Sequence, residues 1–307
     1  MSSRFPSALS RRRFLAGSAA FAGLLHARLA QAGGGAASAL AFDDDALIAA
    51  GAQMWRHDLS GGLAETLAPP ATPIRALACH PERSGRLFAA TAGGGLLRSD
   101  DGGRSWRAAD GGLPQAPVTA LAIAAGSPDT IYAALAGDGL WRSADAGAAW
   151  SFVMDRPWII EAEREVLALA SVNLASGMGG IWLYAGTERG LTRVPDCFCR
   201  WQDVVAGDAM DALVAGTAPP PEAPLPESEP VLALASALAA PERLIAALPS
   251  GLWTSADGGV NWARGADHAA TALAIHPTDP GLIAAATPGG LILSQNGGTN
   301  WAALANT

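Results

Sequence analysis

Serine, aspartate and tryptophan recur in this chain at one fixed spacing. Residues 98–106 read RSDDGGRSW, 142–150 RSADAGAAW, 254–262 TSADGGVNW and 293–301 LSQNGGTNW. Repeated carboxylates could do acid–base work, or act in pairs on a glycosidic bond. Two other groupings could also reach chemistry. Cys197 and Cys199 form a C-x-C that could hold a metal or close a disulfide, and His80-Pro81 and His276-Pro277 occupy matching places that could build a paired histidine site.

Each grouping has a plainer reading. The four segments fit Ser-x-Asp/Asn-x-Gly-x-x-Trp: Ser99, Asp101, Gly103 and Trp106; Ser143, Asp145, Gly147 and Trp150; Ser255, Asp257, Gly259 and Trp262; Ser294, Asn296, Gly298 and Trp301. A worn fifth copy keeps Asp196 and Trp201. An Asp or Asn side chain accepts hydrogen bonds from the backbone of its own turn. Glycine supplies a positive φ, and the indole can bury beneath the reversal. These residues are therefore expected to staple hairpins, and no catalytic residue is assigned. C-x-C is not a zinc spacing and no histidine lies near it, while a single intervening residue strains a disulfide ring. A histidine before proline suits a turn. No glycine-rich phosphate loop precedes a helix. No metal and no cofactor is expected.

The elements that must carry these turns are short strands. Aligning on the boxes gives six units, beginning near residues 39, 74, 118, 166, 231 and 270. The box tryptophans are 44, 51, 61 and 39 residues apart. Each unit holds four strand-like runs bounded by Gly, Pro or Asp, the first reading Ala-Leu-Ala or close to it. A unit of about 40 residues with four strands is a propeller blade. The fold expected is all-β: a β-propeller of six four-stranded blades over residues 33–307. Seven blades is the alternative if the worn N-terminal region hides more strands.

With these residues in view the chain resembles the Asp-box (BNR) repeat β-propellers of the sialidase and sortilin-like superfamily. That group includes xyloglucan hydrolases, and the closest match in repeat style is the photosystem II stability and assembly factor group. The resemblance spans residues 39–307 and implies the fold. It implies little about activity, because one staple serves enzymes and scaffolds alike. It also implies that the box turns lie at the rim, away from the central funnel. A sialidase-like site would need three arginines around a carboxylate and a tyrosine nucleophile. Pro73-Ile74-Arg75 has the residues of the family's N-terminal signature in the wrong order. Tyr132 and Tyr184 fill a second-strand slot that Phe88, Ile245 and Ile283 are expected to fill elsewhere, which makes it a packing position.

Residues 1–32 are of another kind. Ser10-Arg11-Arg12-Arg13-Phe14-Leu15 leads into a short apolar run, and Ala30-Gln31-Ala32 offers a cleavage site. This is expected to be a twin-arginine (Tat) export signal, too short to span a bilayer. Its removal takes five arginines and leaves fifteen against 28 acidic residues, a charge of −13. The chain contains no lysine. Such a balance excludes nucleic acid and anionic lipid as natural partners, both of which need a basic face. A periplasmic or secreted monomer is expected, with no membrane span once the signal is cut.

Function is sought where the repeat breaks. After Trp150 the chain reads SFVMDRPWIIEAERE, and after Trp201 it carries a proline-rich insertion, residues 207–230. Both join one blade to the next on the face opposite the box turns. Loops longer than a minimal connection are the usual carriers of function. Arg156, Trp158, Glu188 and Arg189 are the candidate partner contacts. The function expected is a non-enzymatic scaffold that binds a protein partner or assists assembly. The alternative is a carbohydrate-binding or glycoside hydrolase propeller.

Overall fold

The computed structural model describes residues 37–61, 64–174, 180–205, 214, 216 and 222–304. The expected export signal and much of the proline-rich insertion lie outside these residues. Contacts separate residues 1–35 from a compact unit, Ala36–Thr307. Within the compact unit the strands form a six-bladed propeller of antiparallel meanders. The innermost strands are Ala39–Asp43, Ile74–Cys79, Val118–Ala124, Val166–Asn173, Ala233–Ala237 and Ala272–Ile275. Five blades have four strands each, and in blade four the outer strand is reduced, among the described residues, to one bridge between Arg193 and Gln202. The worn N-terminal unit supplies one complete blade and no seventh.

The Ala-Leu-Ala signature explains how six blades meet. Leu40, Leu77, Leu121, Leu169, Leu234 and Leu273 occupy the same place in the six innermost strands. All six line one half of the axial channel, and Leu40, Leu169, Leu234 and Leu273 also line the other, so that they form a ring about the axis. Each is 4–9% exposed. The flanking alanines let neighbouring blades close on one another, where larger side chains would collide. The core is correspondingly divided. Six apolar clusters each span two adjacent blades, such as Phe88, Leu96 and Leu113 with Ile131 and Trp150 between blades two and three. The seam between the last blade and the first is one of these, uniting Leu40 and Phe42 with Ala272 and Ala284. His276 Nε2 lies 3.2 Å from the carbonyl of Asp44 across it.

The four intact boxes share one hydrogen-bond pattern. In each, the serine hydroxyl donates to the Asp or Asn two residues on and accepts from the glycine N–H four residues on. The same Asp or Asn oxygen then accepts from a backbone N–H four residues further along. Trp106, Trp262 and Trp301 donate from Nε1 to their own box glycine carbonyl. Trp150 donates instead to Ala109 in the preceding blade. Every intact box turn is also bonded to the loop before the second strand of its blade or to the start of that strand, through Gly102, Ala146, Gly258 and Gly297 N–H groups. Three of these four are glycines at φ +70 to +75°, and Ala146 sits at φ +57° in the corresponding place. A left-handed alanine costs about 1–2 kcal/mol. Ala146→Gly should therefore stabilise the protein by about 0.5–1 kcal/mol after the entropy of glycine is subtracted. A rise of about 1–4 °C in calorimetric Tm is the expected reading, and a fall would show the turn is unstrained.

Candidate functional site

Opposite the box turns, the second-to-third-strand loops lie against the segments that link one blade to the next. Backbone bonds from Ala92 to Pro73, Ala136 to Pro117 and Val231 to Thr187 define this face. It carries the departures from the repeat. Residues 155–165 fold into a hairpin in which Trp158–Ile159 pairs with Ala162–Glu163. Arg156 bridges Glu163 and Glu165, and Glu165 accepts from Gly137 N–H in blade three. Arg164 donates to the carbonyls of Ile159 and Ile160. The hairpin is thus fixed at its base by charge; its first strand presents Trp158 at 66% exposure and its tip Ile160 at 54%.

The two residues at the tip, Ile160 at φ +50° and Glu161 at φ +57°, form a connection that ordinarily selects Asn-Gly. A β-branched residue there is a genuine outlier. Beside the hairpin a groove of about 280 Å³ runs between Gly190 and Leu191, Asp203–Val205, and Leu225. Arg189 stands on its wall. Of the four partner contacts expected from sequence, Arg156 is occupied as the brace, Trp158 is exposed on the first strand of the hairpin, and Glu188 and Arg189 are exposed in the loop at the groove. Ile160, Asp203 and Glu227 were not anticipated. The signal for Asp203 is the run QDVVAGD after Trp201, which lacks the outer-strand pattern of the other blades.

The remaining chemical groups are absorbed by structure. The channel halves measure about 90 and 160 Å³, and among the described residues no carboxylate lines either. His80 and His276 do not pair: each accepts backbone N–H bonds at Nδ1 in its own turn, and each turns Nε2 towards the next blade, His80 lying 3.5 Å from Asp129. Burial holds the His80 imidazole below its ordinary value against the pull of Asp129. Tyr184 is buried and donates to Gly258 O in blade five, with Arg193 donating to its oxygen, so it is a latch between blades. Burial raises its phenol. Phe88, Tyr132, Tyr184 and Ile245 do share a slot, but Ile283 sits one register earlier, opposite Ser294, and Ala284 holds the slot in blade six.

Arg86, Arg98 and Arg107 converge on one carboxylate, that of Asp100 at the rim of blade two. Burial raises this carboxyl, and the three guanidinium bonds outweigh it and hold it well below the usual range. The arginines are satisfied internally and lie away from the channel. In blade four the worn box closes differently. Asp196 makes no staple of the box kind, and Cys197 and Cys199 form a disulfide around Phe198 at φ +51°. Among the described residues no group of His, Cys, Asp or Glu is arranged to hold a metal ion. No helix among them is long and apolar enough to cross a membrane.

The box carboxylates are tuned as staples. Hydrogen bonds from the Ser105 hydroxyl and N–H, then from Ser99, lower Asp101 to about 2. Asp145 is lowered by Ala149 N–H and Ser143. Burial raises Asp257, and bonds from Asn261 and Ser255 more than reverse it. A depressed folded-state value means that the stabilisation is present above the unfolded carboxylate value, near 3.8, and is lost as pH falls through the folded one. The urea midpoint should therefore fall steeply between about pH 4 and pH 2. Asp101→Asn, copying the Asn296 of blade six, should flatten part of that fall; an unaltered acid limb would place the sensitivity elsewhere.

No protein-family model matches the chain, and no curated protein matches it by sequence. Solved structures match it in fold. A xyloglucanase from Xanthomonas campestris aligns with a TM-score of 0.52 and 21% identity, covering 86% of this chain and 45% of that one. The chain thus spans less than half the length of that enzyme. A structure of YCF48 bound to D1 peptide aligns at 0.50 with 17% identity, covering 84% and 76%. The Cps50 (Swd1) β-propeller domain of Myceliophteria thermophila aligns at 0.52 with 16% identity, covering 87% and 82%. At such identities the likeness carries the fold and no activity.

Proposed function

We propose that the chain is an exported, non-enzymatic propeller of the Asp-box kind that binds a protein partner through the face bearing the Trp158 hairpin. The observation that carries this reading is Trp158: a large indole two-thirds exposed, on a hairpin held by Arg156 and Arg164. Rigid exposed aromatics are the usual anchors of protein interfaces, because they bury much area at little cost in rotamer freedom. Arg189 and Glu188 would supply the polar rim. The strained pair Ile160 and Glu161 supports the same reading, since strain at an exposed tip does nothing for the core. Among the structural relatives, YCF48 with its D1 peptide is a precedent for a propeller of this size holding a protein segment.

The carbohydrate reading draws on the xyloglucanase likeness. Glycoside hydrolysis needs two carboxylates across a cleft. Among the described residues the channel instead offers leucines, alanines and a few hydroxyls, with Arg75 and Cys79 but no carboxylate. Affinity purification from periplasm followed by mass spectrometry is the direct test. One protein should be enriched by the wild type and lost from Trp158→Ala with Arg189→Ala. Equal recovery by both, or release of reducing sugar from a glycan panel by the purified chain, would overturn the reading.

A further inference from the structure

We propose that the open outer edge of blade four takes an extended, basic segment of a protein partner as an added strand. The inference rests on the protein-partner reading and names the chemistry of what is bound. In five blades the outer strand closes on the first apolar residue of the third strand. Leu67 lies opposite Met54, Met154 opposite Leu140, and Ala266 opposite Leu252. Ala109 N–H donates to Leu96 O at 2.8 Å, and Leu304 N–H to Leu291 O at 2.9 Å. Blade four stops short. Arg193 and Gln202 exchange both backbone bonds, at 3.0 and 2.8 Å, and no backbone bond joins Asp203–Val205 to Leu191.

N–H and C=O directions alternate along a strand. Leu191, two residues before Arg193, therefore turns its backbone groups to the same outer side, where five blades have an outer-strand partner and this one, among the described residues, has a groove. An unpaired edge is a template for another chain. The groove selects what enters. Leu191, Val204 and Leu225 give it an apolar floor, with Ile159 of the hairpin as one wall. Asp203 and Glu227 stand exposed on its rim and have no ion pair among the described residues, and with Glu222 they outnumber the one cation of the lining, Arg189. An added strand would direct alternate side chains to the floor and to the rim. The complementary segment is one in which apolar and basic residues alternate.

A fluorescein-labelled heptapeptide, Arg-Val-Arg-Val-Arg-Val-Arg, titrated with the full chain and followed by anisotropy tests this. The wild type should bind it, and Asp203→Asn with Glu227→Gln should weaken binding at least tenfold. Asp45→Asn with Glu82→Gln, which removes the same charge from the opposite face, should change it less than twofold. N-methylation of alternate peptide nitrogens should also cost at least tenfold, because the peptide would lose the N–H groups that donate to the carbonyl of the edge. Unchanged thermal melting of the variants guards against misfolding. The proposal falls if both variant pairs weaken binding equally, if the Glu-Val analogue binds as well, or if N-methylation is harmless. A dimer in sedimentation that the peptide displaces would make a second copy the occupant and overturn it too. Failure here with the Trp158-dependent partner still captured would sink the strand proposal alone. Peptide binding with capture indifferent to Trp158 would sink the hairpin reading alone.

Discussion

Gly251→Ala should destabilise the protein by about 3–5 kcal/mol, whereas Gly290→Ala, at the equivalent place one blade on, should cost only about 1–2. Both glycines open the third strand of their blade, at φ +136° and +116°. Both substitutions therefore incur the strain of a side chain in a region that L-residues avoid. They differ in what a methyl group would meet. At Gly251 it would lie 2.3 Å from the carbonyl oxygen of Ala266, and at Gly290 nothing stands within 4 Å. That oxygen is backbone and cannot swing away. Ala266 is itself paired with Leu252, so relief requires prising the outer strand off blade five. Gly139 in blade three is placed like Gly251, with Met154 O at 2.4 Å. Chemical denaturation of the two alanine variants measures the difference directly. Equal losses would mean that the outer strand yields freely and that conformational strain alone sets the cost.

That outer strand is where the sequence is least informative. Blade number, strand order and the two faces can be read from repeated Ala-Leu-Ala and box spacings, because inward packing and tight reversals each demand particular residue types at fixed intervals. The leucine ring follows from the same register. Outer strands pair along one edge only and face solvent, so almost any residue serves, and the loss of pairing at Leu191 leaves little trace in Gln202–Val205. Register within a strand is similarly weak when neighbours are alike. Ile283 and Ala284 are both apolar, and only the pairing with Ser294 decides which faces which cluster.

The candidate site was legible in part. Trp158 stands out as an aromatic among charges in a long connection, and it is exposed as that context implies. Arg156 has the same context and is committed to Glu163 and Glu165. Sequence proximity cannot distinguish a free arginine from a paired one, since pairing depends on how the hairpin folds. The disulfide within Cys197-Phe198-Cys199 was hidden for a related reason. One intervening residue argues against the ring until Phe198 takes a positive φ, which bulky residues rarely do.

Trp158→Ala should weaken partner binding by about 2–4 kcal/mol, roughly 30- to 1000-fold in Kd, while leaving Tm within about 1 °C of wild type. The size follows from burying the whole exposed face of an indole at the centre of an interface. The silence in Tm follows from its position, since a side chain 66% exposed on a hairpin outside the blades contributes little to folding. A channel residue should behave in the opposite way. Leu121 is buried in the axial ring and packs with the core between blades two and three. Leu121→Ala should lower stability by about 2–4 kcal/mol and leave affinity untouched. Isothermal titration of the identified partner, paired with calorimetric melting, reads both variants on both axes. The crossed pattern ties binding to the hairpin and stability to the ring. Should Leu121→Ala lose affinity while Trp158→Ala keeps it, the ligand enters along the axis, and the hairpin serves only to cover the edge of its neighbouring blade.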